Sequence, residues 1–437
     1  RANGRVYERM MTCCGPLWER DENGVTTSYS YNTARQLVET IRSAVADGET
    51  MITPETITSY TRDALGKITS LRRDAGPMTT VESREYDLLG RLIRETDILG
   101  RTTVRSYSGD GLVETVTTPA GATLITRKSP SGAVVRRYGT GQQDILYTVE
   151  ATAEGIRTTE AVPGGEGGAP RVVTGSSTVN GFGDLVRIAA ANTLNGENVR
   201  TLAYDDKGRL IREQLADMAP TLYAYDAFGN RTRAIVALED EPTILNSRIT
   251  DYAYVAESRE DGIYRLVSIT SYTSSGTPVL QKRAALLSAL SSVLAGKTVM
   301  TDPRGHDTVE WTEYGGGSVR LQKKTVPGVG SVALTRVVDG FTTAVTGFDG
   351  ATARRQRTYT ETGITYADTD VRGNVFTAVC DIAGRIISGT DAAGNTTTYA
   401  YAQPFDLPTC VTNALGKTAC SVYDIRGRKE AEWGTAI

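Results

Sequence analysis

The sequence holds one histidine, His306, in 437 residues, which excludes a zinc site of several imidazoles, an imidazole pair or a haem with two histidine ligands. Cysteine is nearly as scarce. The five residues, Cys13, Cys14, Cys380, Cys410 and Cys420, show no C-x-x-C pair and no metal-ligand spacing, so a zinc ribbon is out. Their sparse, odd number argues against a small disulfide-stapled scaffold. Cys410 and Cys420 lie about one repeat apart and could face each other across neighbouring strands, against a default reading of buried free thiols. Phe and Met number only 6 each. No run reaches the roughly 18 apolar residues of a membrane span, and nothing in the first ten residues resembles a signal peptide. A surplus of positive charge is also missing: 48 Lys and Arg stand against 51 Asp and Glu, which excludes a dedicated nucleic-acid binder.

What the chain does have is glycine, 45 residues, and tyrosine, 21 residues, the profile of a turn-rich β protein whose aromatics carry hydroxyl groups. The tetrad Asp/Asn-x-x-Gly recurs thirteen times, eleven times with Asp, and six of the twelve successive gaps are 10 to 11 residues or about twice that, so the unit is 10 to 11 residues. The clearest copies are Asp87/Gly90, Asp97/Gly100, Asp205/Gly208, Asp226/Gly229, Asp381/Gly384, Asp391/Gly394 and Asp424/Gly427. Asp in the first position accepts a backbone hydrogen bond two residues on, and Gly in the fourth takes φ > 0 without steric cost, as in a type I turn running into a bulge. Each tetrad therefore reads as a hairpin corner, which leaves about six or seven residues per strand. Between corners the residues alternate, as in Arg91–Thr96 and Thr397–Tyr401, the period of a strand. The pairs Tyr29/Tyr31, Tyr223/Tyr225, Tyr252/Tyr254 and Tyr399/Tyr401 are two apart, so each shares one face of its strand. Stacked hairpins would align such pairs into a tyrosine ladder on a partly wet face, a candidate lumen or ligand surface.

The phrases Tyr86-Asp87-Leu88-Leu89-Gly90-Arg91, Tyr204-Asp205-Asp206-Lys207-Gly208-Arg209, Tyr225-Asp226-Ala227-Phe228-Gly229-Asn230 and Tyr423-Asp424-Ile425-Arg426-Gly427-Arg428 resemble the YD repeats of the RHS family, which includes the shells of bacterial toxin complexes and the teneurin receptors. The resemblance implies an all-β fold: a long antiparallel sheet of hairpins that spirals into part of a hollow shell around a polypeptide cargo. The pattern weakens between about 139 and 180 and from 231 to 300. The family's aspartyl autoprotease has no counterpart here, because Asp302-Pro303-Arg304-Gly305 sits in repeat register, and no toxin domain is visible.

Other candidates fall to the repeat register. The slot after the tetrad Gly holds Arg, Lys or Asn in ten of thirteen copies, and His306 occupies that slot, so it reads as a turn-exit residue rather than a catalytic base. The recurrent Asp residues read as turn formers, not as paired glycosidase carboxylates or a calcium ladder. The segment 162–170 is glycine-rich but lacks the Gly-Lys-Ser/Thr ending of a phosphate loop, and it reads as a surface loop and a possible break in the ribbon. Gly315–Gly317 reads as a turn or bulge. Residues 281–295 carry a helical apolar pattern at 286, 287, 290, 293 and 294, and helix and strand stand as equal alternatives there.

The expectation is one continuous β-shell fragment over 1–437 with no catalytic, cofactor or metal site. The chain starts inside a repeat-like phrase, Ala2–Val6, and reads as a piece of something longer. Its expected partners are a polypeptide cargo or further repeats of the same parent chain, with no nucleic acid and no membrane span, in a secreted or cell-surface setting. The alternative is an extracellular adhesion or carbohydrate-binding module, in which exposed tyrosines stack on sugar rings.

Overall fold

The computed structural model describes residues 7–163, 172–192, 196–239, 242–291, 293–315, 319–402 and 404–434. Every tetrad folds as its chemistry requires. At Asp87, Oδ1 accepts from the backbone N–H of Leu89 and of Arg91, both at 2.9 Å, while the Gly90 N–H donates to the Asp87 carbonyl at 2.9 Å and Gly90 takes φ 75°. The chain reverses there and pairs with itself. Among the described residues this produces 38 strands and no helix, and 36 strands join one sheet. Each of them pairs antiparallel with the next in the chain, from Glu8–Met11 to Lys429–Gly434. The hairpin Val45–Asp47/Thr50–Thr53 forms a separate two-stranded sheet.

The stretch 281–295 is not helical. Residues Pro278–Ala289 form a 12-residue strand that pairs along Gly262–Tyr272 on one side and with Leu294–Thr301 on the other, because the neighbouring strands supply backbone partners and override local propensity. The weak-pattern region 231–300 holds the longest strands, Arg248–Arg259, Gly262–Tyr272 and Pro278–Ala289. Most of 162–170 lies outside the described residues, as do Gly316 and Gly317; the strands Gly155–Val162 and Val172–Val179 on either side of the first segment pair directly. Cys410 and Cys420 are cross-strand partners joined by a disulfide, where the sequence favoured free thiols. A one-strand register match is a tertiary fact that cysteine spacing alone does not supply.

A second corner type has no tetrad. At Glu361–Thr362 the turn is two residues long, and Gly363 follows at φ 147° with an added Cβ only 2.0 Å from the Cys380 carbonyl oxygen. At Gly90 the nearest atom to an added Cβ is the flexible Lys67 Cε at 3.3 Å. Gly363→Ala is therefore expected to destabilise far more than Gly90→Ala. The latter costs about 1–2 kcal/mol for the left-handed conformation alone, whereas the former forces backbone apart, and urea midpoints of the two variants check the order.

The ribbon has little core. Seventeen apolar residues are buried among those described, and the surface is 25807 Å², against about 16,000 Å² for a compact monomer of 46.9 kDa. Water therefore reaches both faces. The ribbon also returns over itself: contacts recur between residues 286 to 305 positions apart, as in Arg42 with Asp339, Arg101 with Asp406, and Arg426 with the Thr140 carbonyl. Leu37–Arg42 is the fourth strand and Ala333–Val338 the 29th, and two of the strands between them form the separate hairpin, so a circuit takes about 23 strands. At about 4.8 Å per strand the perimeter is roughly 110 Å and the backbone-to-backbone width about 35 Å.

Candidate functional site

The repeated surface is built from the corners outward, and corners alternate between the two long edges of the ribbon. On one edge a tyrosine precedes the corner, as at Tyr31, Tyr86, Tyr107, Tyr204, Tyr225, Tyr401 and Tyr423. On the other edge a threonine precedes it, as at Thr96, Thr117, Thr301, Thr369, Thr390 and Thr412. The structural unit is therefore two hairpin corners and about 21 residues. The signal was present in the 21-residue spacing of Tyr86 and Tyr107 and of Tyr204 and Tyr225, but Asp-x-x-Gly at both edges conceals it.

On the tyrosine edge each motif residue has an assigned partner. Arg209 pairs its Nη2 with Asp205 Oδ2 at 2.7 Å, donates Nη1 to the Asp226 carbonyl of the next tyrosine-edge corner at 3.0 Å, and lies 4.9 Å over the Tyr225 ring. Tyr225 in turn donates its hydroxyl to the Leu210 carbonyl at 2.8 Å. The same latch joins Tyr107 to the Leu92 carbonyl beneath Arg91, and Tyr401 to the Ile386 carbonyl beneath Arg385. Tyr31 donates to the Pro16 carbonyl at 3.1 Å. On the threonine edge, hydroxyl pairs such as Thr390–Thr396 at 2.9 Å and Thr412–Thr418 at 2.8 Å staple the base of a corner.

The candidate tyrosines are half-buried, and the hydroxyls engage the ribbon itself. Tyr29 donates to Glu19 at 3.0 Å, and burial together with that bond pushes its pKa up to about 12. Tyr223 meets Glu213 at 3.5 Å and lies beneath Arg231. Tyr399 shares the face of Tyr401. The opposite face exposes small residues, Ser28, Ser30, Ser106, Ala224, Thr398 and Ala400, interspersed with valines such as Val104 and Val422. His306 stands in the arginine position: its N–H and Nδ1 meet the two carboxylate oxygens of Asp302 at 2.9 and 3.2 Å. Asp97, Asp381 and Asp424 pair with Arg101, Arg385 and Arg428, while Asp226 and Asp391 take Asn230 and Asn395 instead. Gly100, Gly208, Gly229, Gly384, Gly394 and Gly427 all have positive φ. Tyr225→Phe leaves the Leu210 carbonyl without this donor, with an expected cost of about 1 kcal/mol, read as a lower urea midpoint at unchanged slope.

The circuits meet where the threonine edge of the first lies on the tyrosine edge of the second. The hairpin Val45–Asp47/Thr50–Thr53 projects across this seam, and Val45 and Ile52 pack with Val25, Val319 and Val338 against Leu321 and Phe341. Around that apolar pin, Arg42 and Thr53 both donate to Asp339, Arg336 pairs with Asp47, and Arg357 donates to the Ile52 carbonyl at 2.7 Å. Sequence reasoning missed these residues, which follow no period.

Carboxylate titration follows from the same bonds. Arg336 holds Asp47 below the usual carboxylate range, Arg209 does the same for Asp205, and Asn395 for Asp391. A carboxyl whose folded pKa is depressed contributes stability that is present above its unfolded value and lost as pH falls through the folded one. Stability is expected to hold at neutral pH and to fall steeply below about pH 4, which urea midpoints between pH 7 and pH 3 check.

Residues 86–123, two tyrosine-edge corners and two threonine-edge corners, match the RHS Repeat family model. That segment is an RHS repeat. No curated protein matches the chain. Among solved structures the chain is similar to the Tc holotoxin pore of Photorhabdus luminescens, at 11% identity and TM-score 0.49 over 99% of this chain and 22% of that one. It is also similar to the TcdB2-TccC3 crystal structure, at 12% identity and TM-score 0.37 over 92% and 26%. TcdB2-TccC3 without its hypervariable C-terminal region gives 11% identity and TM-score 0.36 over 98% and 24%. The chain thus spans about a quarter of the length of these solved chains.

Proposed function

We propose that the chain is a non-enzymatic wall segment of an RHS-type container that encloses a polypeptide, in a protein that works outside the cell. The observation that carries this reading is the seam: the ribbon pins one circuit onto the next while leaving far more surface than a compact protein of its mass. Closing the sheet on itself protects backbone edges that would otherwise template aggregation. The recurrent tyrosine, aspartate and arginine groups are engaged in holding the wall together, which accounts for their periodicity without a substrate. Contents held against such a wall meet mainly polar, small side chains, which suit weak and sequence-tolerant contact. The Cys410–Cys420 disulfide fits an oxidising compartment.

The test fuses an unstructured, protease-sensitive polypeptide of about 60 residues after Ile437 and follows its digestion. Protection relative to the same polypeptide on an unrelated carrier, lost when the hairpin 45–53 is deleted, is the expected result. Equal digestion rates with the seam intact would remove the container reading.

A further inference from the structure

The second corner type recurs with a threonine clamp. At Thr152–Gly155 and at Thr360–Gly363 the threonine hydroxyl donates to the glycine carbonyl, each at 3.0 Å. The two residues between them, Ala153 and Glu154 in one corner and Glu361 and Thr362 in the other, are exposed. Thr12–Gly15 is built the same way. Its hydroxyl and its N–H both donate to the Gly15 carbonyl, at 2.8 and 2.7 Å, and Gly15 takes φ 146°. Such a corner needs only the threonine and the glycine, so the wall makes no demand on the two tip positions. Here both are cysteine. Cys13 is exposed and Cys14 half-buried, and their sulfurs stand 3.2 Å apart. The Cys14 N–H donates to the Thr12 hydroxyl at 3.2 Å, which fixes the backbone that carries the two thiols. The hydrogen bond to Cys13 raises the Cys14 thiol above its ordinary range, which leaves the exposed Cys13 to meet an oxidant first.

We propose that Cys13 and Cys14 are a redox pair that closes reversibly into a vicinal disulfide. The oxidant is a low-molecular-weight disulfide of the glutathione type. Cys13, as thiolate, attacks one sulfur of that disulfide, forming a mixed disulfide and releasing the first small thiol. Cys14 then loses its proton and attacks the Cys13 sulfur, which closes the ring and releases the second small thiol. Two electrons pass from the pair to the oxidant, whose S–S bond is replaced by that of the ring, and the two cysteine protons end on the released thiols. Excess small thiol runs both steps backwards. The pair is accessible and its sulfurs are already in contact, whereas Cys380 is buried and Cys410 and Cys420 are bonded to each other. None of this depends on what the wall encloses.

Mass spectrometry of the tryptic peptide Met10–Arg20, which holds these two cysteines and no other, tests it. The full chain, reduced and freed of reductant, is incubated with glutathione disulfide under native conditions and then digested. The peptide is expected to emerge lighter by two hydrogens, with no glutathione attached, and to return to the dithiol in excess glutathione. In Cys14→Ser the peptide is expected to keep one glutathione on Cys13, because nothing resolves the mixed disulfide. Thr12→Val removes the clamp and leaves both thiols in place; ring closure is expected to slow about tenfold for the lost hydrogen bonds, with the mixed disulfide accumulating. A wild-type peptide that stays a dithiol, retains glutathione or is linked to a second chain would overturn the proposal, as would ring closure at an unchanged rate in Thr12→Val.

Discussion

Ile52→Asp is expected to open the ribbon at its seam. Ile52 is 2% exposed within the pin formed with Val25, Val45, Val319 and the fully buried Val338. Truncating such a residue to alanine costs about 2–5 kcal/mol, and aspartate adds the burden of a carboxylate among apolar atoms. The site has no local way to relax, because its two sides belong to different circuits. The outcome is therefore separation of the circuits while the hairpins persist. In limited proteolysis, the segment 42–53 should be cut early in the variant and late in the wild type, with strand content unchanged by circular dichroism. Ile52→Ala should fall between them. Unchanged cleavage in the aspartate variant would mean that the pin does not hold the circuits together.

Tyr264→Ala is expected to have the largest effect away from the seam. Tyr264 is fully buried beside Ala284 and Val299. Its hydroxyl donates to Asp261 at 2.8 Å, an acceptor shared with Lys297 at 2.7 Å, and Arg259 lies 4.7 Å over its ring. Burial and the Asp261 carboxylate both push the phenol well above its ordinary range, so it stays neutral and a donor at physiological pH. Removing the ring costs about 3–5 kcal/mol, whereas Tyr264→Phe keeps the packing and should cost about 1–2 kcal/mol for the lost donor. Urea denaturation of both variants separates the two contributions.

Much of this architecture was readable before any coordinates, and the reason is local. An Asp-x-x-Gly corner is determined by four residues, and its recurrence at strand length leaves few alternatives to a hairpin ribbon. The alternation of Tyr and Thr before successive corners was visible but unread, since it concerns which edge a corner lies on and both edges share the tetrad. The tyrosine latches were harder still. Their acceptors are backbone carbonyls such as those of Leu210 and Ile386, which side-chain identity does not announce. Residues 281–295 misled in another way: Leu286, Leu290 and Leu294 have helical spacing, yet Gly262–Tyr272 offers a complete ladder of partners. The seam was out of reach altogether. Arg42 and Asp339 are 297 positions apart, in a pairing that occurs once.

The central claim is that the ribbon closes into a circuit of about 23 strands around open space. Small-angle X-ray scattering at dilute concentration, collected in line with size exclusion so that only monomer is observed, tests it most directly. The account predicts a radius of gyration clearly above the roughly 22 Å of a compact chain of this length, with a longest dimension below about 100 Å. A radius of gyration at the compact value would contradict the open interior, and a longest dimension near 170 Å, that of 36 strands laid side by side, would contradict the seam.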